Sequence, residues 1–192
     1  MSSESPRATE ILDVAEALVR TQGYNGFSFR DVAAAVGIKS ASVHYHFPTK
    51  ADLGAEVARR YADRFIDALG APADPEQPPT ALLARYIAAF RHALVQDGQM
   101  CLCGMLGAEI GSLPVEVAGA AKGFFNRNVA WLEAVLSRTA AAKAGEATTV
   151  RARALAILAT VEGAMIVART LRQPGDFDRI AAVLTDAYAS ES

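Results

Sequence analysis

Two short stretches hold most of the side chains whose chemistry calls for a partner. In the first, Lys39, Ser40, Ser42, His44, Tyr45 and His46 crowd together, with Arg30 upstream and Lys50 just downstream. They are cations, hydroxyls and rings, the groups that meet phosphate oxygens and base edges. Residues 28–50 carry Arg30, Lys39 and Lys50 against Asp31, a net +2, whereas residues 1–69 as a whole sum to −1. Positive charge is therefore concentrated on this stretch. A helix starting beside Lys50 would add its first backbone amides as further phosphate donors.

The second stretch is Cys101-Leu102-Cys103. Asp97-Gly98 ends one helix, and a next helix beginning near Met100 puts both thiols in its first turn. Exposed amides and the positive dipole end favour a thiolate there. Leu102, Met105 and Leu106 around them favour the opposite reading, two small hydrophobes in a core. A Cys101–Cys103 disulfide is disfavoured, because residues two apart on a helix point about 200° apart. No Cys-x-x-Cys or His-x-x-x-His pattern exists, and His92 is the one histidine outside the first stretch, so no metal is expected. Further along, Glu162 lies in the otherwise apolar run Leu155–Ala168. It either faces a ligand or pairs with an arginine such as Arg169. Phe90, Met105, Phe124, Phe125, Trp131 and Met165 are candidate pocket walls, though each suits a core equally well.

The elements that must carry these residues are helices. Apolar residues recur at three and four, and strand patterns are almost absent. Ser5-Pro6 predicts the start of a first helix with the stripe Ile11, Val14, Ala15, Leu18 and Val19, closed by Gly23. Ser28 caps a second, closed by Gly37. Ser40 caps a third, ending near Phe47-Pro48. Thr49 with Asp52 opens a fourth, in which Leu53, Val57, Tyr61 and Phe65 recur every fourth residue, closed by Gly70. Residues 71–79 hold four of the eight prolines and read as a linker. Beyond it come a helix with Leu82, Leu83, Tyr86, Ile87, Phe90 and Leu94, a short helix over roughly 101–111, and a long one from Pro114. After a connection at 140–147 follow a helix capped by Thr149 and running to about Leu171, and a last one introduced by Pro174 and Asp176. The fold class is all-α, about nine helices. The expected divisions are a small helical part at 1–48, a connecting helix at 49–70, and a larger helical part at 80–192.

Composition agrees with a globular chain. Of 192 residues 52% are hydrophobic and 21% charged, with a formal net charge of −2. Disorder is disfavoured, and no global basic charge advertises a polyanionic partner. The polar start Met1–Pro6 lacks the pattern of a secretory signal, and the most lipid-like run, between Arg153 and Arg169, contains Glu162 and is too short to span a bilayer. A cytoplasmic location and no membrane partner are expected.

Residues 28–47 have the form of a helix-turn-helix. Gly37 supplies the permissive turn, Ala33 lets the helices approach, and Val32, Val36, Ile38 and Val43 face inward. The ordered set Thr9, Ile11, Ala15, Leu18, Gly23-Tyr24, Phe27-Ser28, Asp31-Val32-Ala33, Val36-Gly37-Ile38, Val43 to Phe47, Lys50 and Leu53 resembles the N-terminal domain of the TetR family of transcriptional repressors. The likeness covers about residues 9–53. It implies a homodimeric repressor of double-stranded DNA with a palindromic operator, with 1–48 as the helix-turn-helix DNA-binding domain and 80–192 as the ligand-binding and dimerisation domain, released by a small-molecule effector bound in that C-terminal part. It places Ser42, Tyr45, His46 and Lys50 where the family meets DNA. His44 stands where the family often has tyrosine, and Lys39-Ser40 reverses a frequent Ser-Lys order. Met100-Cys101-Leu102 with Leu106, Ala108 and Glu109 resembles, more weakly, members that sense electrophiles through a cysteine. No nucleophile–base pair or phosphate loop appears, so neither catalysis nor a cofactor is expected. The rival reading is a helical-bundle enzyme or small-molecule carrier that does not bind DNA. The clustered donors from Lys39 to Lys50 separate the two, since a carrier has no use for them.

Overall fold

The computed structural model describes residues 5–139 and 147–189. Among them are nine α-helices and no strand: α1 (Pro6–Gln22), α2 (Phe29–Val36), α3 (Ser40–His46), α4 (Lys50–Leu69), α5 (Pro79–Val95), α6 (Leu102–Ala108), α7 (Val115–Leu136), α8 (Ala147–Thr170) and α9 (Gly175–Ala189). A 3₁₀ turn at Ile110–Ser112 follows α6. Contacts divide the chain into two compact units. The first holds α1–α3, α4 to Arg64, and 102–124; the second holds 65–101 and the residues from Phe125 onward. Among the described residues no helix is long and apolar enough to cross a membrane.

The first unit starts from well-made helix ends. The Ser5 hydroxyl accepts from Ala8 N–H at 3.2 Å, with Pro6 as the first helical residue. Ser28 caps α2, and Asp31 returns the bond, its Oδ2 accepting from Ser28 N–H at 2.7 Å. Thr49 and Asp52 repeat the arrangement ahead of α4. Gly37 takes φ 76°, which lets Gly37 N–H reach Ala34 O and Ile38 N–H reach Ala33 O. That closure moves the start of α3. The Lys39 carbonyl accepts the first bond, from Ser42 N–H at 2.9 Å, so the cap position falls on Lys39. Ser40 is therefore the first helical residue and not the cap that the sequence predicts.

Helix α1 packs on α2 and α6, and α2 packs on α3. Ile11, Leu12, Ala15, Val19, Val32, Ala33, Val43, Leu53 and Val57 are buried. Burying a large aliphatic side chain contributes roughly 1.5–3 kcal/mol. Leu12, outside the expected stripe, is buried, while Val14 and Leu18 are half-buried. Gly54 permits close packing, since a Cβ there would stand 2.6 Å from the Tyr24 ring.

In the second unit α5 packs on α8 and α9, and α8 on α9. The proline-rich stretch is tied down. Arg138 donates to Pro72 O and Gln77 O, each at 2.7 Å, and Trp131 Nε1 donates to Gly70 O at 2.8 Å. Helix α8 begins at Ala147, so Thr149 lies inside it and does not cap it. The expected connection at 140–147 falls outside the described residues, apart from Ala147.

Candidate functional site

Helix α3 is held by one buried residue, Val43, and presents its other side to solvent. Tyr45 lies two residues on, about 200° round the helix, and is 84% exposed. The His46 ring meets it edge-on at 5.2 Å. Arg30 and Lys39 are exposed, and Ser40, Ser42 and His46 are half-buried. His44 is exposed but engaged: its ring packs on Phe29 at 4.6 Å and its Nδ1 lies 3.3 Å from Pro48 O.

Lys50 does more than stand by for a phosphate. Its Nζ donates to Phe27 O at 2.6 Å and lies 4.4 Å and 4.5 Å from the ring centres of Tyr24 and Phe27. Desolvation lowers its pKa, with Glu109 and Asp31 opposing. An ammonium has three donors, so the bond to Phe27 leaves two for another acceptor. Sequence reasoning missed Glu109 as a positioning residue. It receives Tyr24 N–H at 2.6 Å and both donors of Asn25 at 3.3 Å. It thereby holds the α1–α2 turn beside Lys50.

The expected effector residues are divided. Cys103 is buried and Met105 half-buried, both on α6 in the first unit. Phe90, Cys101, Trp131, Glu162 and Met165 are buried in the second. The two thiols do not share a first turn: α6 starts at Leu102, so Cys101 precedes it and Cys103 is its second residue. Cys101 therefore stands outside the first turn of α6, after a bend in which Asp97 N–H bonds His92 O and Gln99 N–H bonds Ala93 O. The Glu162–Arg169 pair is also absent. Arg169 is exposed and donates to Gly98 O at 3.0 Å. Glu162 instead takes a hydrogen bond from Cys101, and burial pushes its carboxyl up to about 7.

Tyr86, read from sequence only as part of a stripe, completes that group. It is fully buried, stacks on Trp131 with centroids 5.6 Å apart and planes at 17°, and meets Phe90 at 5.3 Å. Burial foremost, then the charges of Glu162 and Cys101, raise its hydroxyl pKa well above the usual value. Neither the Tyr86 hydroxyl nor Glu162 Oε1 has a hydrogen-bond partner among the described residues. Buried polar atoms are nearly always satisfied. A separate apolar groove between α5, α8 and α9 is lined by Leu83, Ile87, Ile157 and Leu184, none of them expected as pocket residues.

Residues 11–57 match the family model for bacterial regulatory proteins of the tetR family. Over its length the structure resembles that of a TetR transcriptional regulator from Legionella pneumophila, with TM-score 0.86 and 31% identity, covering 97% of this chain and 99% of that one. The chain belongs to the TetR family. A TetR-family regulator from Agrobacterium tumefaciens is similar at TM-score 0.83 and 30% identity, covering 94% of this chain and 96% of that one. The HTH-type transcriptional repressor KstR2 of Rhodococcus jostii (strain RHA1) is 39% identical over 62 residues, which are 32% of this chain and 30% of that protein. The chain thus spans under a third of that curated relative.

As a TetR-family member the protein is a transcriptional regulator with a helix-turn-helix DNA-binding domain. The family model takes in all of α2 and α3 and the start of α4. The Tyr86–Glu162 group lies outside it.

Proposed function

We propose that the protein is a cytoplasmic homodimeric repressor whose α3 enters the major groove and whose second unit binds a small molecule that releases the operator. Residues 1–48 serve as the reading head, 49–70 as the connecting helix, and 80–192, apart from the first-unit stretch 102–124, as the effector and dimer region. The observation that carries the reading is the outward side of α3. A tyrosine 84% exposed, one turn along α3 from Ser42 and edge-on to the His46 ring, fills no core position there, and it suits base edges and phosphates. Arg30, Lys39, Ser40 and Lys50 serve the backbone; Ser42, His44, Tyr45 and His46 stand nearest the bases.

Dimerisation is supported by a bare apolar face in the second unit. Leu155, Ile166 and Val167 of α8 and Val183 of α9 are exposed, and exposed Ala152, Ala156 and Ala159 between them allow close helix approach. Effector binding is supported by the unsatisfied Tyr86 and Glu162. Cys101, a buried thiol already donating to Glu162, supports a non-covalent effector over an electrophile.

The test is a band shift on the DNA upstream of the protein's own gene. The expected result is a shift at concentrations at least about a thousandfold below those needed for random DNA. Tyr45→Ala should narrow that margin. Equal affinity for both DNAs would overturn the reading.

A further inference from the structure

We propose that Tyr86 and Glu162 together grip the carbonyl oxygen of an uncharged, largely apolar small molecule. The inference rests on the reading that the second unit holds the effector site, and it names the chemistry that site accepts.

The two groups come from helices that pack on one another, Tyr86 from α5 and Glu162 from α8. Each feels the other or the shared neighbour Cys101. The Cys101 thiol takes up one side of the carboxyl, and Oε1 is the oxygen left open. Burial favours the neutral acid, whose proton then sits on that open oxygen. The Tyr86 hydroxyl is also held in its protonated form. Two O–H donors are thus buried with nothing to receive them, each at a cost of the order of a lost hydrogen bond. A single carbonyl oxygen has two lone pairs and satisfies both at once.

The surroundings decide between a neutral acceptor and an anion. The charges acting on Tyr86 are those of Glu162 and Cys101, and the group acting on Glu162 is Cys101, all of them acids. Arg169, the cation expected beside Glu162, is spent on Gly98 O at the surface. An anion here would be buried without a counter-charge. The walls offer ring faces: Trp131 stacked on Tyr86, with Phe90 and Phe65 at 5.3 and 6.1 Å from it. The Trp131 N–H is already given to Gly70 O, which leaves its ring face as the surface it offers.

The chain has one tryptophan, and it lies against Tyr86, so its fluorescence reports binding without DNA. Three matched probes separate the chemistries: 4-phenylbutan-2-one, butylbenzene and 4-phenylbutanoate. The ketone should bind about tenfold more tightly than the hydrocarbon, as two neutral hydrogen bonds allow, and the anion more weakly than the ketone. The carbonyl stretch of the labelled ketone should move below its value in water. Tyr86→Phe and Glu162→Met should each remove most of the preference for the ketone. Glu162→Gln, which keeps a donor at the same reach, should retain it and shows that the fold tolerates a neutral group there. A ketone bound no better than butylbenzene, or a carbonyl stretch unchanged from water, would overturn the proposal. So would a preference that survives both Tyr86→Phe and Glu162→Met. Operator release is measured separately by band shift. A ketone held by Tyr86 and Glu162 that leaves the operator bound supports this site and counts instead against the effector reading.

Discussion

The carboxylate of Glu109, just beyond α6, receives the backbone N–H of Tyr24 at 2.6 Å. The residue before that amide, Gly23, takes φ 79° and would place a Cβ 2.9 Å from the same carboxylate. The turn between α1 and α2 is therefore shaped around Glu109. Helix α6 packs on α1 within the same unit, so Glu109 is held at the turn it shapes.

Glu109→Ala should therefore loosen the reading head. It strands the part-buried amide of Tyr24 and takes one acceptor from the exposed Asn25, whose Nδ2 keeps Ser112 Oγ at 2.9 Å, at about 1–3 kcal/mol of stability. Glu109→Gln, which keeps an accepting oxygen, should cost less. Urea unfolding gives the stability, and amide exchange at Tyr24 and Asn25 localises it. Equal exchange in Glu109→Ala and the original protein would remove the clamp from the account.

The reading head was legible because its signals are local. Ser28, Gly37 and Thr49 sit within four residues of the groups they bond, and cap chemistry needs no more context than that. Ser40 misled because the two-residue closure around Gly37 shifted the start of α3. Glu109 was illegible in this role, since its partners lie 84 and 85 positions away. Tyr86 and Glu162 were each visible as a helical residue, but their pairing depends on α5 lying against α8. Glu162 looked like half of an ion pair because Arg169 is two turns along; the backbone oxygen of Gly98 took that arginine instead.

Stability should fall between about pH 4.5 and 7 through Glu162. Its folded carboxyl stands at about 7 against an ordinary 4.5. Below the lower value both folded and unfolded forms are protonated and stability is full. As pH rises, the unfolded carboxyl ionises first while the folded one keeps its proton, so unfolding gains. The loss is complete above the folded value and amounts to about 3 kcal/mol. Glu162→Gln should be flat by comparison. Urea midpoints of the two proteins near pH 4.5, 6 and 8 test it; parallel curves would place the charge of Glu162 in contact with water.

The bare face of α8 and α9 should be the dimer seam. Ile166 and Val183 are 55% and 70% exposed, and neither supports the core of its own chain. Ile166→Glu with Val183→Glu should leave the helix content intact and dissociate the protein to monomers at micromolar concentration, as sedimentation would show. Burying four unpaired carboxylates across a two-fold seam costs far more than the dimer gains there. A double variant that stays dimeric would move the interface elsewhere.

Lys39 and Lys50 should part company on DNA. Two reading heads bring a charge of +2 each from residues 28–50, so operator affinity should fall with salt on a log–log slope of about −4 or steeper. Lys39 is exposed and caps α3 with its backbone alone. Lys39→Ala should flatten the slope by about 2, one contact per head, and leave the unfolding midpoint within about 0.5 kcal/mol. Lys50 has a second task, since its ammonium joins α4 to Phe27 O and two rings. Lys50→Met should therefore lower stability by about 1–3 kcal/mol as well as weaken binding. The two readouts together decide its role. Loss of stability with an unchanged salt slope would make Lys50 a purely internal strut, while a flatter slope with unchanged stability would make it a phosphate contact alone.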